Sequence, residues 1–261
     1  MTTRGWVCHL CTKMNPVTHD GPCLCCGRPR RHAVKSLAKK ATTKALLLHA
    51  DLSKHTRPEQ VADMVEHGFD VNELSSEGYT VLHCAARHGQ AGIVRELLRF
   101  GADTEIEATG GRRALHYAVE SGSMETVQEL VSRGALPSPA TNGDALTPLH
   151  IAGQMGHHKI ADVLLRAGAR LGAVTKHMRQ TALHLAAEAG HIECVRVFMR
   201  YDLEGDVVGA VDASGATATQ TAQFAQRSVV VELLQLQIGA GAKDRLLDRL
   251  LAMGAGRPSD R

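Results

Sequence analysis

The fold class predicted by the sequence is mainly α: a solenoid of about six helix-pair units, preceded by a small cysteine-rich segment. Three observations predict it. His83, His116, His150 and His184 recur at intervals of 33, 34 and 34 residues inside similar blocks. Apolar residues make up 44% of the chain but aromatics only 3%, so the core is built from Ala, Leu and Val, which suits stacked small helices better than a β-sandwich. Of seven cysteines, five fall within residues 8–26.

The cysteine-rich segment comes first in the chain. In "WVCHLCTKMNPVTHDGPCLCCG", Cys8-x₂-Cys11 and Cys23-x₂-Cys26 form two knuckles separated by eleven residues. Four thiolates in such pairs suit a closed tetrahedral zinc site, and closure favours a structural ion over a catalytic one. Zinc must supply the folding energy there, because about thirty residues bury too little surface alone. Cys25 is adjacent to Cys26 and badly placed as a further chelate arm, which leaves it a free or packed thiol.

These residues resemble the RanBP2-type zinc finger, with the pattern W-x-C-x₂₋₄-C-x₃-N-x₆-C-x₂-C. Trp6, Cys8, Cys11, Asn15, Cys23, Cys26, Gly27 and Arg30 match it over residues 4–30, with seven residues instead of six between Asn15 and Cys23. The resemblance implies one of three roles. Ubiquitin-binding fingers use a Thr-Phe pair and an apolar residue before the last Cys; here those positions are Thr12, Lys13 and Cys25, so the aromatic contact is missing. RNA-binding fingers stack a base on the Trp and read bases with arginines. Here that means Trp6 with Arg28, Arg30 and Arg31, although "VTHDGP" holds no arginine. The third role is structural, with Trp6 packing its own finger.

Residues 31–43 read as a basic linker. Between Asp20 and Asp51 there is no acid, and residues 28–44 carry seven of the chain's lysines and arginines; the rest of the chain is net acidic. Such runs are usually solvated, and the doublets Arg30-Arg31 and Lys39-Lys40 loosely resemble a bipartite import signal.

From residue 44 to 241 the chain repeats. "TVLHCAARHG", "RALHYAVESG", "TPLHIAGQMG" and "TALHLAAEAG" are each followed at fixed phase by an apolar i, i+3, i+4 triple: Val94/Leu97/Leu98, Val127/Leu130/Val131, Ala161/Leu164/Leu165 and Val195/Phe198/Met199. Such a triple is one face of a short helix. Three of these helices run into Gly101, Gly134 and Gly168, which can take the left-handed conformation that closes a helix. The fourth meets Asp202, expected in the same conformation. Worn copies flank the four. Val61/Met64/Val65 ends at Gly68, and Val230/Leu233/Leu234 follows "GATATQTAQFAQ", with Gln220 in place of His.

At "TPLHIA" each unit resembles an ankyrin repeat, whose signature is T-P-L-H-x-A at a period of 33. The resemblance implies two antiparallel helices and a hairpin per unit, with the motif Thr and His bracing the turn into the first helix. The four histidines are then structural; at one per unit, about 10 Å apart, no single ion could join them. Arg113 departs from the motif Thr, and residues 202–215 form an irregular insert. Cys84 and Cys194 are expected to be packed.

Catalysis finds no foothold. There is no G-x-x-x-x-G-K-[ST], no G-x-S-x-G and no H-E-x-x-H, and no apolar run of membrane-spanning length. No secretory signal is legible, so an intracellular protein of cytoplasm or nucleus is expected. The resemblance implies a non-enzymatic adaptor that binds protein partners on a concave face and along the hairpin tips. The expected contacts are the variable positions after each motif: Arg87 and His88, Glu120, Gln154 and Met155, and Glu188, with Tyr117 as an aromatic anchor. Residues 242–261, with "KDRLLDRLLAMG", read as an amphipathic helix and tail that cap the last repeat.

Overall fold

The computed structural model describes residues 6–7, 14–15, 58–66, 68–203 and 205–236. Two short strands, β1 (Trp6–Val7) and β2 (Met14–Asn15), pair antiparallel with Trp6 opposite Asn15 and Val7 opposite Met14. All other regular structure among the described residues is helical. After α1 (Pro58–Glu66) the helices come in pairs: α2 (Val81–Arg87) with α3 (Ala91–Arg99), α4 (Ala114–Glu120) with α5 (Met124–Ser132), α6 (Pro148–Met155) with α7 (His158–Arg166), and α8 (Ala182–Ala189) with α9 (Ile192–Tyr201). A fifth pair is α10 (Ala218–Phe224) with α11 at residues 228–236. The first half of the unit that ends in α1, the linker and the tail lie outside the described residues.

Helices of seven to ten residues are too short to stand alone in water, and packing in two layers holds them. First helices lie side by side (α2 on α4, α4 on α6, α6 on α8, α8 on α10), and α1, α3, α5, α7 and α9 form the second layer. Two ladders of fully buried side chains run through the stack: Leu82, Leu115, Leu149 and Leu183 in the first helices, and Leu97, Leu130, Leu164, Phe198 and Leu234 in the second. Each buried side chain of this kind contributes about 1.5–3 kcal/mol.

The motif residues start every first helix. Thr80, Thr147, Thr181 and Thr217 are N-caps with extended backbone, and Pro148 occupies the first turn of α6, where no N–H is required. At the other end of each unit, Gly101, Gly134 and Gly168 adopt φ of 85°, 88° and 89°, as their placement predicted. Asp202 does not follow them. Its φ is −87° and its ψ 72°, and its carboxylate instead accepts hydrogen bonds from the N–H of Val207 (3.2 Å) and Val208 (2.9 Å). That closes a turn and tucks Val207 and Val208 into the core. The irregular insert is therefore organised by the very residue that breaks the glycine rule.

Among the described residues five hairpins link the units; the second is closed by the backbone bond from the Ala108 N–H to the Arg112 carbonyl, and the other four share a fuller clasp. The N–H of Ser75, Thr141, Thr175 and Asp212 donates to the carbonyls of Tyr79, Leu146, Gln180 and Ala216. The side-chain oxygens of the same four residues accept the N–H groups of the same four partners. The hairpins at 141–146 and 175–180 are one residue longer than those at 75–79 and 212–216, which is where the 34-residue period takes up its extra residue. A left-handed residue closes each loop. It is Gly78, Gly111 and Gly215 in three hairpins but Ala145 (φ 55°) and Arg179 (φ 51°) in the two longer ones. A side chain in that region is strained. Ala145→Gly and Arg179→Gly are each expected to raise stability by about 0.5–1 kcal/mol in urea unfolding; a loss would mean that the side chains contribute packing that outweighs the strain.

On the open side of the last pair, Gln223 and Gln235 stand where the preceding unit has the buried Ala187 and Met199. Polar side chains thus replace buried apolar ones at these two positions, although Phe224, Val229 and Leu236 of the same pair are exposed.

Candidate functional site

The candidate site is the face made by the first helices and the hairpins, and the motif histidines hold its units together. In α2, Nδ1 of His83 accepts from the backbone N–H of Thr80 (3.1 Å), with the Thr80 hydroxyl on the same nitrogen at 2.8 Å. An acceptor Nδ1 places the ring proton on Nε2. That nitrogen donates to the carbonyl of Ile106 in the next hairpin, at 3.0 Å. His150 and His184 repeat the arrangement, donating to Gln180 (3.1 Å) and Ala216 (3.2 Å). Each histidine thus caps its own helix and ties it to the following unit. His116 donates to the carbonyls of Pro139 and Leu146, both at 3.1 Å.

Gln220 explains its own departure from the motif. Its side-chain oxygen accepts from the Thr217 N–H at 2.9 Å, so it keeps the half of the task that serves its own helix. Arg113, which has no acceptor to offer as a cap, pairs with Glu105 and, at 3.4 Å, with Glu107.

Burial pushes three of the motif histidines towards the neutral form, with His116 lowered to about 4 and His150 and His184 lowered as well. The thiols of Cys84 and Cys194 are pushed up by burial, to about 11 and about 12. Both stay protonated near neutral pH, which matches their expected role in packing. Among the described residues no group of three metal-ligating side chains forms.

The expected contact residues form a row, one or two to a unit. Arg87, His88, Glu120, Gln154, Met155 and Glu188 are all exposed at the last turns of successive first helices, Met155 to 47%. Glu120 is engaged by Arg112 at 2.6 Å. Tyr117 is a correction. Its ring is only 4% exposed, in edge contact with Tyr79 and His83 (centroids 6.0 and 5.7 Å) and covered by the Arg112 guanidinium at 4.5 Å. It is a packed residue between two units and offers no free ring. The exposed aromatic on this row is Phe224, 82% exposed at the end of α10. Sequence reasoning missed it because contact positions were drawn only from the four units that keep the motif His; aligning Gln220 with His184 places Phe224 on the position of Glu188.

On the second-helix face Arg95 pairs with Glu129 (2.5 Å) and Arg166 with Asp162 (2.8 Å). The zinc candidates Cys8, Cys11, Cys23 and Cys26 lie outside the described residues, as do Thr12, Lys13, Cys25, Arg28, Arg30 and Arg31. Of the finger's expected ligand-binding residues only Trp6 is placed, as the strand partner of Asn15. Among the described residues no helix is long and apolar enough to cross a membrane.

A family model described as "Ankyrin repeats (3 copies)" matches the chain three times, over residues 30–140, 108–175 and 149–244. A search of curated proteins found no match.

Proposed function

The chain belongs to the ankyrin-repeat family, and on that premise we propose that it is a non-enzymatic adaptor of the cytoplasm or nucleus, gripping protein partners with the first-helix and hairpin face. One observation carries this reading. The motif histidines of that face are hydrogen-bonded within the chain, while Arg87, His88, Gln154, Met155, Glu188 and Phe224 project from it into solvent. Exposed, chemically varied side chains on a rigid frame are what recognition uses. Photo-crosslinking residues placed at positions 155 and 224 in the full chain are expected to trap cellular proteins. The same residue at position 95, on the second-helix face, is expected to trap few. Equal trapping from both faces would remove the assignment.

The amino-terminal segment is a second binding module in this proposal. Cys8, Cys11, Cys23 and Cys26 hold a structural zinc ion, and the pairing of Trp6 with Asn15 across β1 and β2 supports a knuckle there, since the chain between the strands contains Cys8 and Cys11. Changing both Cys8 and Cys11 to Ser is expected to abolish zinc binding and leave the melting transition of the repeats unmoved; joint loss of both would contradict a two-module chain. Its ligand is a protein, with ubiquitin the first to try. An NMR titration of the zinc-loaded full chain with ubiquitin is expected to shift Thr12, Lys13 and Cys25. Shifts at Trp6 and Arg28–Arg31 with single-stranded RNA would move this module's function to nucleic acid.

A further inference from the structure

The fourth hairpin of the stack combines features that its neighbours do not. Its tip is held from every side. Thr175 is buried and clasps Gln180, and the Arg179 N–H donates to the Thr175 carbonyl at 3.1 Å. Towards the previous hairpin the Lys176 N–H donates to Asp144, and towards the next the Ala213 N–H donates to the Met178 carbonyl, both at 2.8 Å. A loop so fixed loses little freedom when something binds to it.

This rigid tip presents two cations and two apolar side chains to water. Met178 is 63% exposed and Val174 39%, while Lys176 and Arg179 are exposed beside them. Among the described residues no carboxylate pairs with either cation. In the flanking hairpins, Asp144 lies 3.5 Å from His177 and Asp212 accepts from Ser214 and from the Ala216 N–H. The arginines of the second hairpin, by contrast, are paired within the chain. Arg179 also sits at a position that three other hairpins give to glycine. Ala145 shares that conformation without offering a functional group, so it is the cations and Met178 that distinguish this tip.

We infer that the fingertip of residues 174–179 docks an acidic segment of a protein partner, one that also carries an apolar side chain for Met178. The inference rests on the reading of the stack as a protein-binding scaffold. Carboxylates meet Lys176 and Arg179, and the flexible thioether of Met178 adapts to the apolar group between them. A nucleic acid fits less well, because it brings no side chain to Val174 and Met178.

The test is selection of short random peptides displayed on phage against the zinc-loaded full chain, followed by affinity measurement with the selected peptides. Acidic residues flanking an apolar one are expected to be enriched. Affinity is expected to fall about tenfold or more in the Lys176→Glu, Arg179→Glu double variant, and to weaken as salt is raised. Arg179→Gly is the sharper probe, because it is expected to melt higher than the parent chain and yet bind more weakly. Peptides without acidic enrichment, or affinities that ignore both variants, overturn the inference. If the peptides then depend on Met155 and Phe224, the scaffold reading stands without the fingertip; if the chain selects no peptide at all, both fall. Binding of a single-stranded RNA oligonucleotide that alone responds to the charge reversal also overturns it.

Discussion

Acidification from about pH 6.5 to about pH 4.5 is expected to destabilise the repeat stack by several kcal/mol, while most of its carboxylates are still ionised. The cause is the histidine that joins each unit to the next. Nδ1 of His116 faces the backbone N–H of Arg113 (3.0 Å), so a proton there would put donor against donor. Burial is the largest cause of the shift and lowers the group to about 4, against about 6.5 in an unfolded chain. Between those values the unfolded state binds more protons than the native one, so stability falls as pH falls. From His116 alone the loss approaches about 3 kcal/mol once pH drops below both values. His150 and His184 are shifted in the same direction by burial. His157 adds to them, lowered by burial and then by the charges of His191 and His158.

Urea unfolding followed by circular dichroism across this pH range measures the effect directly. His116→Gln is the informative variant, because Gln220 already performs the helix-capping half of the task in the last unit. At neutral pH it is expected to cost about 1–2 kcal/mol, through the lost bonds to Pro139 and Leu146. Its stability is expected to depend less on pH than that of the parent chain. A flat profile in the parent, or an unchanged slope in the variant, would show that the ring is not held neutral.

The parts of this fold that the sequence revealed are those in which cause and effect lie close together in the chain. A Thr and a His three residues apart cap a helix with local bonds, so the motif predicts its own geometry. The left-handed residue after α3, α5 and α7 is legible for the same reason. Asp202 was not, because its carboxylate serves N–H groups five and six residues away. Tyr117 sits at a variable position of its unit, and only the arrival of Tyr79 and Arg112 from the hairpins makes it a buried residue. The period of 34 announced an extra residue but not its location, since only the backbone bonds of the tips reveal the longer loop. Phe224 shows the opposite failure. A conspicuous exposed side chain stayed hidden because contact positions were read only from the four units whose motif keeps its histidine.

Gly153→Ala is expected to destabilise the protein by about 2 kcal/mol, although helix propensity alone predicts a gain of about 1 kcal/mol. Gly153 is buried within α6, at the position held by Ala86, Val119 and Ala187 in the other units. A methyl group there would lie 2.6 Å from the carbonyl oxygen of Ala182 and 3.3 Å from Cε2 of Phe198. The first contact is with backbone in the opening turn of α8, which Thr181 and His184 anchor, so no side chain can swing aside to relieve it. Either α8 moves or the strain remains. Movement has a traceable consequence. The carbonyl of Gln180, two residues before Ala182, accepts the Nε2 proton of His150 at 3.1 Å, and displacing α8 lengthens that bond. Gly153→Ala and His150→Gln should therefore act on one contact, and the double variant is expected to lose less stability than the two single losses combined. Strict additivity in urea unfolding would mean that α8 stays in place and the strain is held locally. A stabilised Gly153→Ala protein would mean that the first helices of neighbouring units slide freely enough to accept the methyl group.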